Sequence, residues 1–476
     1  RFSYREAENV TEMKDLTGVT DRGATAEVPG TTETTEAGRG VRTGSARGSR
    51  IGNMTGYKKT VLKNGVRVIT ETMPHLHSVS IGIWVDIGSR DESVAENGIC
   101  HLIEHMLFKG TATRSAFDIA SALESVGGNL NAFTSREQTC FYARVIDEHL
   151  PIAVDVLSDM LINSTFTPEH FDRERNVIIE EINDVFDTPS DYVHDLFARA
   201  IWDDHSLGQP VMGSADGISA MVRDDIVAFK QKNYTSGRIV VAAAGGVDHD
   251  ELVRMVEEKL QLDHQDPVVA SDSDVENAKP SRKAVHRESN QIHTCIGFPA
   301  YRFTHPNKFA ILVLHNILGG GMSSRLFQAV REKLGYAYSV YTYQDFYRDG
   351  GTFGITLATD NKNAVKSTDV ILSEIAKIRE NTISDDELDS ARQQLKGNLL
   401  LGLESSAARM NRIARHEFGY NTFTPIEETL ARVEKVSKDN LKEAIDTIFS
   451  ADRCAAVFLG SVQDKILDEV HWDIIS

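Results

Sequence analysis

The pattern of apolar and polar positions repeats between the two halves of the chain. Residues 237–252 (GRIVVAAAGGVDHDEL) and 452–467 (DRCAAVFLGSVQDKIL) align without gaps, and each pattern predicts a buried strand that ends in a turn of small residues. A helical pattern precedes each strand, DDIVAFKQKNY in the first half and DNLKEAIDTIF in the second. Residues 167–182 likewise match residues 384–399. Because this period is far longer than that of any solenoid repeat, it predicts a doubled domain.

Further patterns predict elements within the first half. The first strand pattern covers Lys58–Glu71, and an apolar-periodic helix around residues 99–108 ends at Lys109-Gly110. After a Gly-Gly break, residues 127–145 (GGNLNAFTSREQTCFYARV) predict two short strands with alternating polarity. Each half is therefore expected to combine strands with helices.

Length and composition exclude several classes of protein. A chain of 476 residues predicts more than one domain. With 51 basic and 70 acidic side chains the net charge is −19, which makes nucleic acid an unsuitable partner. No apolar run is long enough to span a membrane. The four cysteines have no paired metal-type spacing and are expected to be buried free thiols of a reducing compartment: Cys100, Cys140, Cys295 and Cys454.

The most specific motif in the chain is H-x-x-E-H at His101, Glu104 and His105. On a helix, positions four apart share one face, so the two imidazoles can bind one metal ion. Glu104 projects from the same side and is within reach of a metal-bound water. The order of residues is the inverted form of the zinc-peptidase signature. Two buried histidines and a glutamate need partners, and a metal accounts for both histidines more easily than hydrogen bonds do.

A third ligand is expected from the helix predicted at residues 171–186 (FDRERNVIIEEINDVF). At about 100° per residue, Glu174 and Glu181 lie on one face, whereas Glu180 points to solvent. We therefore take Glu181 as the ligand and Glu174 as a supporting carboxylate of the catalytic site. The apolar stripe of this helix is expected at Val177, Ile178 and Ile182. Without the H-x-x-E-H motif, an ordinary charged helix surface is the better interpretation.

The second half lacks this set of residues. Its alignment with the first half places Asn398 opposite Glu181 and Ala391 opposite Glu174. His315 falls opposite His105, but Leu314 falls opposite Glu104 and Ile311 opposite His101, as the aligned segments show. We therefore interpret His315 as a structural histidine and the second half as an inactive copy of the domain.

The motifs together resemble the pitrilysin type of metallopeptidase, which includes insulin-degrading enzyme and mitochondrial processing peptidase. HLIEHMLFKGT (101–111), ERNVIIEEI (174–182), HSLGQPVMG (205–213) and GGGMSSRLFQAVREKLGYAYSV (319–340) carry the resemblance, from about Lys58 onward. It implies two α+β domains, each with an antiparallel-rich sheet flanked by helices. It also implies one Zn²⁺ per chain on His101, His105 and Glu181, with Glu104 as general base.

The resemblance also implies substrate contacts. An edge strand holds the peptide main chain at Asn131 and Ala132, and Glu137 helps to shape the site. Arg331 and Tyr338 match a pair that binds the substrate carbonyl and stabilises the oxyanion. Taken singly, these residues also fit a core hairpin, a helix-surface charge and a core aromatic residue.

The predicted division of the chain is a disordered N-terminal extension at 1–53, a catalytic zinc-binding domain at 54–261, a polar linker at 262–282 and an inactive domain at 283–476. Two domains make half of the chamber known in the family, so the resemblance implies a homodimer or a heterodimer with a paralogue that lacks H-x-x-E-H. The expected substrates are unfolded peptides or small precursors. A non-catalytic subunit of a processing or assembly complex is the alternative. The expected location is the bacterial cytoplasm, with the mitochondrial matrix as the alternative.

Overall fold

Two β-sheets, one in each half of the chain, form the framework of the protein. The computed structural model describes residues 56–266, 275, 279–380 and 382–476, so the predicted extension at 1–53 lies outside the described residues. The strands are β1 (Tyr57–Val61), β2 (Arg67–Thr72), β3 (Ser78–Val85), β4 (Asn129–Thr134), β5 (Thr139–Ile146), β6 (Ile239–Gly245), β7 (Arg282–His286), β8 (Gln291–Ala300), β9 (Ala337–Phe346), β10 (Gly351–Asp360) and β11 (Ala455–Gly460).

Helices lie between and around these strands in both halves. In the first half they are α1 (Ile99–Leu107), α2 (Ala116–Glu124), α3 (Leu150–Asn163), α4 (Pro168–Asp187), α5 (Pro189–Trp202), α6 (Ala215–Ala220), α7 (Arg223–Asn233) and α8 (His249–Lys259). In the second half they are α9 (Lys308–Leu318), α10 (Ala364–Arg379), α11 (Asp385–Gly402), α12 (Ser406–Tyr420), α13 (Ile426–Glu434), α14 (Lys438–Ile448) and α15 (Ile466–Glu469), with a π-helix at Phe327–Lys333. The strand pattern at residues 58–71 proves to be two strands, because Gly65 turns the chain at a φ of +97°.

The two sheets have the same strand order. The first sheet runs β1-β2-β6-β3-β5-β4, and the second runs β7-β11-β8-β10-β9. Apart from β1, the strands correspond one to one, and the single parallel pair of each sheet, β2 with β6 and β7 with β11, falls at the same place. The prediction of two homologous α+β domains with antiparallel-rich sheets is therefore confirmed.

Both faces of each sheet are buried. Alternate side chains of a strand point to opposite faces, so one strand contributes to two cores. In β6, Val241 and Ala243 belong to the main core of the first half, which the helices of that half cover. Val240, Ala242 and Ala244 point the other way and meet Met410, Ile413 and Ala414 of helix α12, which comes from the second half.

This exchange of helices between the two halves is reciprocal. Helix α5 of the first half packs on the second sheet, where Phe197, Ile201 and Trp202 meet Val457 and Leu459 of β11. Helices α5 and α12 follow corresponding helices, α4 and α11, so the exchange obeys the internal symmetry of the chain. The two halves therefore share their cores, and each depends on the other to cover one face of its sheet.

The predicted domain boundaries stay a prediction. Strand β7 begins at Arg282, which is the last residue of the predicted linker. Val275, also in the predicted linker, is buried against Trp202 of helix α5. All four cysteines are buried and none forms a disulfide bond, as the sequence predicts. Among the described residues, no helix is both long enough and apolar enough to cross a membrane.

Candidate metal centre

The H-x-x-E-H motif lies on helix α1, and the buried carboxylate of Glu92 caps the N-terminus of this helix. The helix begins after Gly98, which has a φ of +97°. Glu92 accepts hydrogen bonds from the backbone N–H of Gly98 and from that of Cys100, both at 2.8 Å. These contacts satisfy donors that a helix N-terminus otherwise leaves unpaired. Together with the buried face at Leu102, Ile103, Met106 and Leu107, they set the orientation of the motif.

We expect Glu92→Ala to lower the free energy of unfolding by about 3 kcal/mol, because two buried backbone donors lose their acceptor. Urea unfolding followed by circular dichroism measures this loss. Glu96→Ala is the matched control, since the Glu96 carboxylate caps a short turn at Ser93 in an exposed position. Equal losses in the two variants would contradict the assignment of Glu92 as the anchor of helix α1.

His101, His105 and Glu181 each bring one ligand atom to the same place. The three atoms lie within 4.8 Å of one another, and within the described residues they are the one such group of His, Cys, Asp or Glu side chains. Glu181 Oε2 is 3.5 Å from His105 Nε2 and 3.9 Å from His101 Nε2. The two imidazole rings are 4.7 Å apart between centroids. The structure thus brings the three predicted ligands together.

Helix α4 supplies Glu181 and a second carboxylate, Glu174. The helix begins with Thr167 as N-cap and Pro168 in its first turn, both favourable at that end. Glu174 is 3% exposed, and its Oε2 lies 3.2 Å from His105 Nδ1 and 3.0 Å from Lys109 Nζ. When Nδ1 bonds the carboxylate, Nε2 keeps its electron pair available for a metal ion. Nε2 is also the ring atom that faces Glu181.

The predicted polarity of helix α4 is right at most positions and wrong at one. Glu180 is exposed and Ile178 is fully buried, as expected. Val177, expected in the apolar stripe, is instead 39% exposed. It lies one turn from both Glu174 and Glu181 and so shares their face, which is open to solvent beside the half-exposed carboxylate of Glu181. The site is therefore accessible from this side.

Glu104 lies next to the three ligand atoms and is held by strand β4. The hydroxyl of Thr134, the last residue of β4, donates a hydrogen bond to Glu104 Oε2. Strand β4 is the edge of the first sheet and, within the part of the chain that the structure describes, pairs with β5 alone, so its other side is open to a further strand. Asn131 and Ala132 lie in the middle of β4, and Asn131 Oδ1 accepts a hydrogen bond from the Ala132 N–H at 2.8 Å.

Burial and neighbouring charges shift the protonation of these groups. Burial, with the adjacent Glu181 carboxylate, raises the pKa of Glu104 to about 7, although His105 and the Thr134 hydroxyl oppose the shift. Burial, with the nearby His105, holds the pKa of His101 well below its usual range, so this imidazole is neutral near pH 7. For His105, burial acts downward, but the Glu174 hydrogen bond and the surrounding carboxylates raise its pKa overall.

The counterpart position in the second half has no metal-binding character. His315 is buried on helix α9, and its Nδ1 is 2.7 Å from the Thr342 hydroxyl. Burial lowers the pKa of His315 to about 4, so the ring is neutral. The prediction of a structural histidine agrees with these contacts.

Arg331 and Tyr338 contact each other on the second domain. The Arg331 guanidinium lies 4.7 Å from the ring centroid of Tyr338 and 4.7 Å from that of Phe327. Tyr338 is 80% exposed at the start of β9. Among the described residues, no hydrogen bond, ion pair or ring contact joins this pair to the metal-ligand candidates, and their predicted role in substrate binding stays a prediction.

Glu137 is engaged in contacts between the two domains. Its Oε1 accepts hydrogen bonds from Arg90 Nη1 at 2.5 Å and from the backbone N–H and Nε of Arg348 at 3.0 and 3.1 Å. Arg90 belongs to the first domain and Arg348 to the second. The residue expected to shape the site thus lies at the domain interface, in the turn that follows Thr134.

Sequence reasoning missed the residues that support the site: Glu92, Lys109, Thr134, Arg90, Arg348 and Asp349. Lys109 follows the motif by one helical turn, so spacing alone could have placed it beside the helix α4 carboxylates. Thr134 precedes the turn of a predicted hairpin, which offers a weaker signal. The remaining members lie on separate loops, and no local pattern connects them.

A double α+β domain with a His-His-Glu cluster defines a metallopeptidase, and comparison with known proteins supports this class. The family model described as Insulinase (Peptidase family M16) matches residues 67–215, and the model described as Peptidase M16 inactive domain matches residues 220–395. The chain belongs to peptidase family M16, the family of the insulinase and pitrilysin enzymes.

Relatives and solved structures agree with this assignment. The chain is 40% identical to an uncharacterized zinc protease of Streptomyces coelicolor over 87% of its own length and 92% of that protein. It is 36% identical to an uncharacterized zinc protease of Bacillus subtilis, covering 84% and 97% of the two chains. A protease from Helicobacter pylori shares the fold with a TM-score of 0.79 at 21% identity, over 85% of this chain and 99% of that one.

Proposed function

We propose that the protein is a zinc metalloendopeptidase that cleaves internal bonds of unfolded peptides or small precursors. The observation that carries the proposal is the meeting of His101, His105 and Glu181 at one point, with Glu104 beside them. Two imidazoles and one carboxylate are a set of three protein ligands typical of catalytic zinc sites, which leave a fourth position open.

The geometry fits one zinc ion. The three ligand atoms lie within 4.8 Å of one another, and two imidazoles with one carboxylate are ligand types that zinc prefers. The distances from Glu181 Oε2 to the two histidine Nε2 atoms, 3.5 and 3.9 Å, are long for hydrogen bonds. A cation between them would hold together groups that do not bond one another directly.

Each residue then has a distinct role in the proposed reaction. His101, His105 and Glu181 would hold the zinc ion, which would supply an activated water near neutral pH and polarise the scissile carbonyl. Glu104 accepts the proton of the attacking water and returns it to the leaving amine. Glu174 keeps the His105 ring oriented through its Nδ1, and we include it in the catalytic site for this reason.

Strand β4 is the proposed peptide-binding element. A substrate in extended conformation would add to this open edge and exchange main-chain hydrogen bonds near Asn131 and Ala132. Such binding needs an unfolded segment, because a folded protein offers few free main-chain donors and acceptors. The proposal thus favours flexible peptides over compact proteins.

Cleavage of a mixed library of unfolded peptides by the purified protein, with metal analysis of the same sample, tests the function. We expect about one zinc per chain, together with cleavage that a chelator abolishes and zinc restores. Bound zinc without cleavage would indicate a missing partner chain. Neither zinc nor cleavage would favour the alternative, a non-catalytic subunit of a processing or assembly complex.

We further propose that the active form is a dimer, since Arg331 and Tyr338 do not contact the metal-ligand candidates of their own chain. In a homodimer, each chain would present this pair to the site of the other, where it binds the substrate carbonyl. In a heterodimer with a paralogue that lacks H-x-x-E-H, the partner would supply the pair. Light scattering on the purified chain measures its oligomeric state and separates these cases.

Mixing two inactive variants tests the exchange of residues between chains. Glu104→Gln and Arg331→Ala are each expected to lose activity. Mixed dimers contain one site with both an intact Glu104 and an intact Arg331 if the pair acts across the interface. The mixture should then regain about a quarter of wild-type activity, given random pairing of subunits. A mixture that stays inactive although mixed dimers form would place Arg331 in its own chain's site or outside catalysis.

A location in the bacterial cytoplasm remains part of the proposal, with the mitochondrial matrix as the alternative. The relatives described above come from bacteria. Four buried cysteines without a disulfide bond are consistent with a reducing compartment.

A further inference from the structure

The turn between β9 and β10 of the second domain contacts the first domain beside the candidate site. Asp349 forms a two-pronged ion pair with Arg90, with Nη1–Oδ1 and Nη2–Oδ2 distances of 3.0 and 2.6 Å. Arg348 donates hydrogen bonds to Glu137 from its backbone N–H and its Nε. Arg90 also donates to Glu137, so the four side chains form one network across the domain interface.

This network is buried, which makes its geometry specific. The side chains of Arg90 and Asp349 are 5% and 4% exposed. Buried charges are tolerated only when they are paired and hydrogen-bonded, and a guanidinium that bonds a carboxylate through two nitrogens has a fixed orientation. The second domain therefore holds Arg90 and, through it and Arg348, the carboxylate of Glu137.

The network leads through a short stretch of backbone to Glu104. Glu137 lies in the turn between β4 and β5, and the backbone around Arg90 bonds the same turn: Ser89 N–H donates to Ser135 O at 3.1 Å and Arg90 N–H to Arg136 O at 2.9 Å. The turn directly follows Thr134, whose hydroxyl bonds the Glu104 carboxylate. A Cβ on Gly88 would lie 2.4 Å from Ser135 O, so the two backbones are in close contact.

We propose that Arg348 and Asp349 of the second domain are positioning residues for the catalytic site of the same chain. Through Arg90 and Glu137 they hold the β4–β5 turn where Thr134 fixes the carboxylate of Glu104. This inference rests on the proposed peptidase function. It gives the inactive domain a task inside its own chain, and it gives Glu137 a role in holding the turn, distinct from contact with substrate.

The first test is a kinetic double-mutant cycle between Asp349→Asn and Thr134→Val. We expect Asp349→Asn to lower kcat about tenfold with little change in KM or zinc content, since a misplaced catalytic group costs rate more than binding. In the Thr134→Val background the same change should have little further effect, because the connection to Glu104 is already broken. Independent, multiplicative effects of the two substitutions would overturn the proposal.

A matched control and a second variant separate positioning from folding. Glu387→Gln breaks another two-pronged ion pair, with Arg325, inside the second domain and should leave kcat unchanged. If Asp349→Asn unfolds or loses zinc, Glu137→Gln, which keeps the side-chain shape, takes its place in the cycle. An unchanged kcat in Glu137→Gln would also overturn the proposal.

Hydrogen exchange provides a readout that does not depend on peptidase activity. Asp349→Asn should speed amide exchange at residues 134–139, with no change in the strands of the second sheet, whereas Glu387→Gln should leave residues 134–139 protected. Unchanged exchange in that segment would overturn the positioning role even in an active enzyme. A wild-type protein that cleaves no peptide would refute the proposed function, while the exchange data would still decide whether the second domain holds the turn.

Discussion

Glu104→Gln is expected to leave the protein folded and loaded with zinc while kcat falls about a thousandfold, within the usual range for a general base. The amide keeps the shape of the side chain and can still accept the Thr134 hydrogen bond, but it cannot take a proton from water. Because Glu104 is no ligand in the proposed site, the metal should remain. Peptide cleavage and zinc content measured on one preparation test both halves of the prediction.

Glu124→Gln serves as the control for this substitution. Glu124 ends helix α2 of the same domain and is exposed, so the same chemical change there should affect neither activity nor zinc. Retained activity in Glu104→Gln would refute the proposed mechanism. Loss of zinc in that variant would instead indicate that Glu104 contributes to holding the metal.

His105→Ala is expected to lose both zinc and activity. It removes one of three proposed ligands and leaves Glu174 buried without its imidazole partner, so the site loses affinity and orientation together. Glu181→Gln should also lose zinc, because an amide is a much poorer zinc ligand than a carboxylate. Metal analysis after gel filtration measures the zinc that each variant retains.

The internal duplication offers matched controls for these ligand variants. His315→Ala changes the aligned histidine of the second half, which bonds Thr342, and should reduce stability without reducing zinc. Glu180→Gln changes the exposed neighbour of Glu181 and should affect neither. Full zinc binding in His105→Ala, or equal zinc loss in His315→Ala, would contradict the assigned ligand set.

Much of the candidate site could be predicted because it depends on helical geometry. His101 and His105 face the same way on any regular helix, and the angular spacing on the second helix separates Glu174 and Glu181 from Glu180. The structure brings the predicted ligand atoms together and leaves Glu180 exposed. Val177 shows the limit of this reasoning, since the helical pattern could not tell that its face borders an open site.

The supporting residues could not be predicted because their contacts depend on loop conformation or join residues that are distant in sequence. Glu92 reaches the N-terminus of helix α1 across a loop, and Thr134 meets Glu104 only when the hairpin packs against that helix. Asp349 and Arg90 come from different domains and form a buried ion pair. Charged residues occur along the whole chain, and the sequence does not show which of them form buried ion pairs.

The sequence by itself determined that the protein has two copies of one α+β domain and that the first copy carries the metal-binding motif. Periodicity and spacing are local properties, so they can be read without knowledge of the fold. Only the tertiary structure decided that helices α5 and α12 cover the sheets of each other's halves and that Arg90 and Asp349 pair across the domain interface. The physical reason is that an apolar face specifies burial without specifying the partner, and the partner is chosen by the packing of the whole chain.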